Sequence, residues 1–196
     1  MGNQEITLRI KCSLKEFYEI LEKQNFSVCS KFLLNDKYFL PTNLNIKNLS
    51  SREILKNAIL LRNIYDYTTK EKIYKFTFKR KEFDESGNIL NQSSVNCKIY
   101  NIEDGEKFLN SIGYNEILQI KEYDVVYKKE ELEIAVKDIE NGDNLIEIET
   151  IKNNNSLDTV EKLEEKILQM NLPIYEDNFF VKKAEIELDK KLYNKL

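Results

Sequence analysis

The sequence predicts an α+β fold in which antiparallel sheet dominates and a few amphipathic helices pack against it. Two observations carry this prediction: apolar and ionic residues alternate along several segments, and other segments have apolar residues at helical spacing behind a capping residue. The 196 residues are 41% apolar, which is enough for a buried core, and the five glycines and two prolines form no linker. We therefore expect a single domain over residues 1–196.

The alternation is clearest at the start of the chain. From residue 5 to residue 12, every second side chain is ionic or polar, and the others are apolar. Such a segment is predicted to be a strand with one ionic and one apolar face. The same pattern occurs at residues 75–81, 131–137 and 146–149, and further strands are predicted at residues 37–40, 58–65, 94–100 and 117–127.

Capping residues predict the helices. Ser13 and Glu16 form a capping box that opens a helix to about residue 23. Asn101 can cap a second helix, which Gly113 would end. Two more helical segments are predicted, at residues 157–170 and in the tail after residue 181.

The ionic faces of the strands allow two interpretations. In the commoner one, the apolar face of the sheet packs on a core and the ionic face contacts water. In the other, the sheet closes into a barrel with helices outside, and the ionic faces line a water-filled lumen. The amphipathic helices, and the separation of Lys and Arg from Glu among the strands, favour the barrel. The pattern alone leaves both interpretations open.

Composition excludes several kinds of chemistry. The chain has no histidine, which excludes Ser-His-Asp and Cys-His nucleophiles and histidine-bound metals. Its 30 Lys and Arg residues against 34 Asp and Glu give a net charge of -4, so no uniformly basic nucleic-acid surface is expected. Within residues 74–81 the lysines and aromatic residues lie on opposite faces, which also disfavours single-stranded nucleic acid as a partner.

Cysteine usage and hydropathy predict the location. The three cysteines, Cys12, Cys29 and Cys97, are widely spaced, which indicates reduced thiols, and we expect them to be small core residues. No apolar run approaches the roughly 18 residues of a membrane span, and the N-terminus does not resemble a signal segment. We therefore expect a cytoplasmic protein without a membrane partner.

Short motifs follow one another in a recognisable order along the chain. They are Glu5-Ile6-Thr7-Leu8-Arg9-Ile10-Lys11, Asp36-Lys37-Tyr38-Phe39, Leu61-Arg62, Thr77-Phe78-Lys79, Gly113, Lys121 and Glu147-Ile148-Glu149. In this order the chain resembles the CYTH family, the triphosphate tunnel metalloenzymes. That family includes class IV adenylyl cyclases, thiamine triphosphatases and inorganic triphosphatases.

The resemblance implies a closed, eight-stranded antiparallel barrel with helices outside and a triphosphate or polyphosphate bound in its tunnel. It also implies Mg²⁺ or Mn²⁺ held by Glu5, Glu147 and Glu149. Cationic side chains suit phosphate oxygens, and carboxylates suit a hard divalent ion. No residue identifies a general base, so the catalytic residues are unassigned. The phosphate-binding residues that the resemblance implies are Arg9, Lys11, Arg62, Lys79 and Lys121.

The chain also departs from the family pattern. The substituted positions are Thr7 for the second glutamate of the first motif, Asn96 and Lys98 for an arginine and a glutamate, Tyr123 for an arginine, and Lys137 for an aspartate. Asp138 would restore the aspartate only if a bulge shifted its strand by one residue. Together these substitutions remove carboxylates and add lysines.

Two functions are therefore expected, from different classes. The first is a metal-dependent enzyme acting on a triphosphate, either by hydrolysis or by cyclising ATP to cyclic AMP and pyrophosphate. The second is a catalytically degenerate member that binds a nucleotide or polyphosphate without turnover. The sequence leaves open whether the chain forms a homodimer.

Overall fold

The computed structural model describes residues 4–83, 89–151, 154, 156–176 and 182–193. The chain forms two compact units. Unit 1 consists of Met1–Phe32 and Glu122–Val181, and unit 2 of Leu33–Lys121 and Lys182–Leu196.

Antiparallel strands dominate both units, as the alternation predicts. Two of the strands are long enough to contribute residues to both units. The eight strands found among the described residues are β1 (Glu5–Arg9), β2 (Ser27–Pro41), β3 (Ile59–Asp66), β4 (Lys72–Phe83), β5 (Ile89–Ile99), β6 (Tyr114–Lys129), β7 (Leu132–Ile139) and β8 (Asn144–Glu149).

The strands form one sheet with two ends. Their order is β1-β8-β7-β6-β2-β3-β4-β5, and in the described part of the chain β1 does not pair with β5. The prediction of a closed barrel is therefore wrong, whereas the α+β class with an antiparallel sheet is confirmed. Alternation specifies which side chains share a face, but closure also needs hydrogen bonds between the terminal strands, which the alternation does not encode.

The helices begin at the predicted capping residues. Ser13 caps the first helix with Glu16 in a complete capping box, and Asn101 caps the third. The second helix was not predicted, although Ser50 and Glu53 form the same kind of capping box in front of it. The helices are α1 (Leu14–Lys23), α2 (Ser51–Leu55), α3 (Ile102–Ser111), α4 (Val160–Gln169) and α5 (Lys183–Tyr193).

In unit 1, the apolar face of the sheet packs against α1 and α4. Phe17 and Leu21 of α1, and Leu163 and Ile167 of α4, are almost fully buried. Burying side chains of this size contributes roughly 1.5–3 kcal/mol each. The strand residues of the same core include Ile6, Leu8, Val125, Tyr127, Leu132, Ile134, Val136, Ile146 and Ile148. The opposite face of these strands is therefore left for the ionic side chains.

In unit 2, helix α3 packs against the apolar face of β3. Leu61, Phe39 and Leu109 form a buried cluster there. Gly105 allows the close approach, because a Cβ at this position would lie 2.9 Å from Cδ1 of Leu61. The alternate residues of this strand, Arg62 among them, point to its other face.

All three cysteines are free thiols, but Cys29 and Cys97 are exposed, so the prediction that they are core residues is wrong. Their short side chains are tolerated at exposed strand positions, and spacing alone carries no information on burial. None of the helices in the described residues has the length and apolarity needed to cross a membrane.

Candidate functional site

In unit 1, one face of the β1–β8 pair carries the three glutamates expected to bind metal. Residues directly opposite each other in an antiparallel pair point to the same side of the sheet. Glu5 lies opposite Glu149, and Thr7 lies opposite Glu147. The fold thus brings the three glutamates onto one face, with the small side chain of Thr7 among them.

Lys137 of β7 extends from the same face. Its strand is in register with β8, with Ala135 opposite Glu147. The Nζ of Lys137 lies 2.9 Å from Oδ2 of Asp124, 3.5 Å from Oε1 of Glu147 and 3.8 Å from Oε1 of Glu122. We call these four residues the Lys137 cluster. They place one ammonium group among three carboxylates.

The Lys137 cluster is largely shielded from water. The side chains of Lys137, Asp124 and Glu122 are 8%, 7% and 1% exposed. Burial alone would lower the pKa of Lys137, but Glu147, Glu122 and Asp124 together raise it above its ordinary value. Lys137 is therefore charged at neutral pH.

The register also answers the question of the substituted aspartate. Asp138 lies opposite Tyr123, whereas Lys137 lies opposite Asp124. Because neighbouring residues face opposite sides of a strand, Asp138 is on the other face from Asp124. The ionic face therefore carries the lysine and not the aspartate.

This geometry does not fit the expected set of three metal ligands. The carboxylate of Glu147 contacts the Lys137 ammonium, which would repel a divalent cation. Among the described residues, no group of three or more Asp, Glu, His or Cys side chains is arranged to hold a metal ion. Glu5 and Glu149 remain as a cross-strand pair of carboxylates.

Arg9 and Lys11, two of the expected phosphate-binding residues, lie at the end of β1 beside Tyr175. The Arg9 Cζ is 5.2 Å and the Lys11 Nζ 5.4 Å from the centroid of the Tyr175 ring. The Tyr175 amide also donates a hydrogen bond to the carbonyl oxygen of Arg9 (2.9 Å). Cation–π contacts of this kind stabilise by roughly 0.5–1 kcal/mol at exposed sites.

In unit 2, three cationic residues lie in one row across β3, β4 and β5. Arg62 is directly opposite Lys75, and Lys75 is directly opposite Lys98. Their side chains share a face, with Cβ atoms of opposite residues about 5 Å apart. We call Arg62, Lys75 and Lys98 the basic row. Like charges placed directly opposite one another destabilise a sheet, so this row has a cost in the absence of an anion.

Burial and neighbouring cations both act on the pKa of Lys75. Burial lowers this pKa, and the neighbouring charges of Arg62, Lys79 and Lys98 lower it further. Asp36 partly offsets the effect. A phosphate group beside Lys75 would offset the repulsion among these cations.

Asp36 holds Arg62 in a fixed orientation. The Nε of Arg62 donates to Oδ1 of Asp36 (2.7 Å) and its Nη2 to Oδ2 (2.6 Å). Burial alone would raise the pKa of Asp36, but Arg62, with help from Lys183 and Lys79, holds it below its ordinary value. The Lys183 Nζ, at the start of α5, lies 3.7 Å from Oδ2 of Asp36. One buried carboxylate thus faces an excess of cations.

Polar groups extend the basic row along β4. Thr77 donates from its hydroxyl to Oδ1 of Asn96 (2.8 Å), and Asn96 donates to the hydroxyl of Ser94 (3.2 Å). Lys79, an expected phosphate-binding residue, lies opposite Ser94. Lys79 is four residues from Lys75 on the same face, about 13 Å along the strand. The cations therefore suit an extended anion better than a single phosphate.

Lys121, the remaining expected phosphate-binding residue, is exposed on β6. Its neighbour Glu122 belongs to the Lys137 cluster. By strand alternation, Lys121 points to the opposite face of β6 from Glu122. The lysine therefore does not share a face with that cluster.

Several residues of these clusters were not singled out from the sequence. Lys75 lies in a segment that was interpreted as a strand, and its cross-strand neighbours could have been found by aligning the alternating segments. Glu122 and Asp124 also lie on a predicted strand. No local signal marks Lys183 or Tyr175, because their neighbours are distant in sequence.

Comparison with known proteins identifies solved structures of similar fold. Neither a known family model nor a curated protein matches the sequence. Solved structures do match. The PH1819 protein of Pyrococcus horikoshii OT3 superposes with a TM-score of 0.66 at 18% identity, covering 98% of this chain and 100% of that one.

Two further similar structures belong to cyclase-like proteins. A proposed adenylate cyclase of Vibrio parahaemolyticus has a TM-score of 0.57 at 13% identity, over 90% of this chain and 94% of that one. HpAC1 of Hippeastrum, a proposed adenylyl cyclase with a dominant triphosphatase activity, has a TM-score of 0.54 at 14% identity, over 92% of each chain. The chain shares the fold of these proteins. Identities this low show the fold alone, so any activity has to be argued from the side chains.

Proposed function

We propose that this protein binds a triphosphate or short polyphosphate through the basic row and Lys79 of unit 2. The observation that carries the proposal is the direct cross-strand alignment of Arg62, Lys75 and Lys98. Three aligned cations cost stability in the free protein, and a polyanion offsets that cost by neutralising them.

Within the basic row, Lys75 differs from a lysine that carboxylates of this protein neutralise. Lys37 on a neighbouring strand is paired with Glu106 (2.6 Å) and Glu116 (3.2 Å). Burial alone would lower the pKa of Lys37, but these two glutamates raise it. The pKa of Lys75 shifts downwards instead. Lys37 is thus neutralised by nearby carboxylates, whereas Lys75 lies in a cationic environment.

Arg62 is suited to bind phosphate because Asp36 fixes its orientation. Its Nε and Nη2 donate to Asp36, and its side chain is 20% exposed. A guanidinium held in this way loses little rotamer freedom when it binds phosphate. Lys75, Lys79 and Lys98 then act as point charges along the anion.

Calorimetric titration with tripolyphosphate in EDTA tests this proposal. The wild type is compared with the Lys75→Gln/Lys98→Gln double variant, which retains side-chain length but removes two charges. Charge-assisted contacts are worth roughly 1.5–3 kcal/mol each, so the double variant is expected to bind at least about tenfold more weakly.

Lys72→Gln is the matched control. Lys72 is an exposed residue of the same strand, but its parity places it on the face opposite Lys75. The control is expected to bind tripolyphosphate like the wild type. Equal affinities of all three proteins would refute binding at the basic row.

Turnover of the triphosphate is the second candidate function. It is favoured by the cross-strand pair Glu5–Glu149, which would hold Mg²⁺ or Mn²⁺, since Mg²⁺ in nucleotide sites often uses one or two carboxylates with substrate phosphates. The metal would neutralise phosphate oxygens. The triphosphatase activity of HpAC1 is a further reason to test this candidate.

A product assay separates the alternatives. ATP, tripolyphosphate and thiamine triphosphate are incubated with Mg²⁺ or Mn²⁺, and the products are resolved. Cyclic AMP with pyrophosphate would indicate a cyclase, and orthophosphate alone a triphosphatase. Binding without products would support a receptor.

A cytoplasmic location and a homodimer stay predictions for this protein.

A further inference from the structure

A small apolar cavity lies in unit 2, between helix α5 and residues of β2, α2 and β6. Its volume is about 270 Å³, and six of its eight lining residues are aliphatic. Such a lining suits a ligand with a hydrocarbon body. The aliphatic side chains are buried in Leu40, Ile54 and Leu188 and half-buried in Ile46, Ile117 and Leu192.

Polar contacts hold α5 against α2, so two sides of the cavity have a fixed position. Asp189 of α5 accepts a hydrogen bond from the hydroxyl of Ser51. The Nε of Arg52 lies 3.3 Å from Oε2 of Glu185, which adds an ion pair between the same two helices. The cavity is therefore bounded by elements that are tied together by side chains on both of them.

Lys191 of α5 places an unpaired positive charge beside the aliphatic lining. Within the described part of the chain, its ammonium has no ion pair or hydrogen bond. The other lysines of α5 do have partners, since Lys183 contacts Asp36 (3.7 Å) and Lys190 contacts Glu187 (2.8 Å). A lysine packs its methylene stem along apolar surface and keeps its ammonium in water. Lys191 thus suits a ligand with an aliphatic chain and an anionic end.

The second charged lining residue, Glu116, restricts the kind of anion. Its Oε2 lies 3.2 Å from the Nζ of Lys37, which offsets part of its charge. That ammonium is shared with Glu106, whose Oε1 is 2.6 Å away. The remaining negative charge repels a multiply charged phosphate more strongly than a singly charged carboxylate. A monoanion is therefore favoured.

We propose that this cavity binds an aliphatic monocarboxylate, with its chain against the aliphatic lining and its carboxylate on the Lys191 ammonium. The volume of about 270 Å³ lies below the roughly 300–1,000 Å³ of sites for drug-sized ligands, so a chain of roughly six to eight carbons is expected. None of the described residues that line the cavity belongs to the basic row. The proposal therefore succeeds or fails separately from the proposed function.

Nuclear magnetic resonance of the full chain with labelled isoleucine and leucine methyl groups tests the proposal. Hexanoate is expected to shift the methyl signals of Ile46, Ile54 and Ile117 saturably. Hexanoate should bind more tightly than butanoate, by about fourfold for each added methylene, because each buries further apolar surface. Hexylammonium has the same chain with the opposite charge and is expected to bind more weakly than hexanoate.

Lys191→Gln tests the role of the ammonium, and its exposed position makes the substitution compatible with the fold. This variant is expected to bind hexanoate about two- to fivefold more weakly, as befits a charge pair in contact with water. Its affinity for hexanol, which has no charge, should stay that of the wild type. Lys190→Gln is the matched control on the same helix, and it is expected to bind both ligands like the wild type.

Three results would overturn the proposal. If hexanoate caused no saturable shift of these methyl signals, the cavity would be only a gap in the packing. If hexanoate, hexanol and hexylammonium bound equally well, or if Lys191→Gln bound hexanoate like the wild type, Lys191 would not recognise a carboxylate. If tripolyphosphate in EDTA displaced hexanoate from the cavity, the preference for a monoanion would be wrong.

Discussion

Replacing Lys75 by glutamine should make the free protein more stable while weakening its binding to tripolyphosphate. Lys75 is the middle residue of the basic row, directly opposite Arg62 on one side and Lys98 on the other. Its removal abolishes two like-charge oppositions at once. Stability and binding are therefore predicted to change in opposite directions, which a residue with a purely structural role would not produce.

The magnitude follows from the cross-strand geometry. A directly opposed pair contributes roughly 0.2–1 kcal/mol, so relief of two unfavourable pairs gives about 1 kcal/mol of stabilisation. For a chain of this size, that corresponds to a rise in melting temperature of about 2–4 °C. The effect should shrink in high salt, because Lys75 is only half-buried and its repulsion is screened.

Urea unfolding at low and high salt measures the free energy, and calorimetry measures the affinity for tripolyphosphate. Lys72→Gln, on the other face of β4, is expected to change neither quantity appreciably. If Lys75→Gln were destabilised and bound tripolyphosphate as well as the wild type, Lys75 would be a structural residue and the argument from the basic row would fail.

Three further predictions concern Asp36 and the helix caps. Asp36→Asn should lose about 3 kcal/mol of stability by urea unfolding, since it removes one partner of a buried, bidentate ion pair; a change within error would contradict the pairing. The pKa of Asp36 is lower in the folded than in the unfolded protein, so its contribution to stability is present above the unfolded pKa and is lost as the pH falls through the folded pKa. The free energies of unfolding of the wild type and Asp36→Asn should therefore converge in acid. Ser13→Ala should cost about 1 kcal/mol by removing the cap of α1, whereas an unchanged melting temperature would mean that the cap is dispensable.

Much of the fold could be predicted because its signals are local. The capping box of Ser13 and Glu16 specifies where α1 begins, and the alternation from Glu5 onwards specifies which face of β1 is buried. Sheet closure could not be predicted in the same way, since it depends on whether the terminal strands β1 and β5 meet. Helix α2 could have been predicted, because its capping box is a local signal in the sequence.

The candidate site was less predictable, because side chains from distant segments determine its chemistry. Motif order drew attention to Arg62 and Lys79, but only the register aligns Lys75 with its cationic neighbours. Substitution of an aspartate by Lys137 was visible in the sequence. Its consequence was not, since the contact with Asp124 requires the pairing of β6 with β7.

The most direct test of metal-free polyanion binding is the affinity of the wild-type protein for phosphate chains of increasing length in EDTA. The spread of cations from the basic row to Lys79 predicts that tripolyphosphate binds much more tightly than pyrophosphate or orthophosphate, and that its affinity falls steeply with salt. Equal affinities for all three anions, or binding of tripolyphosphate only after Mg²⁺ is added, would contradict this account.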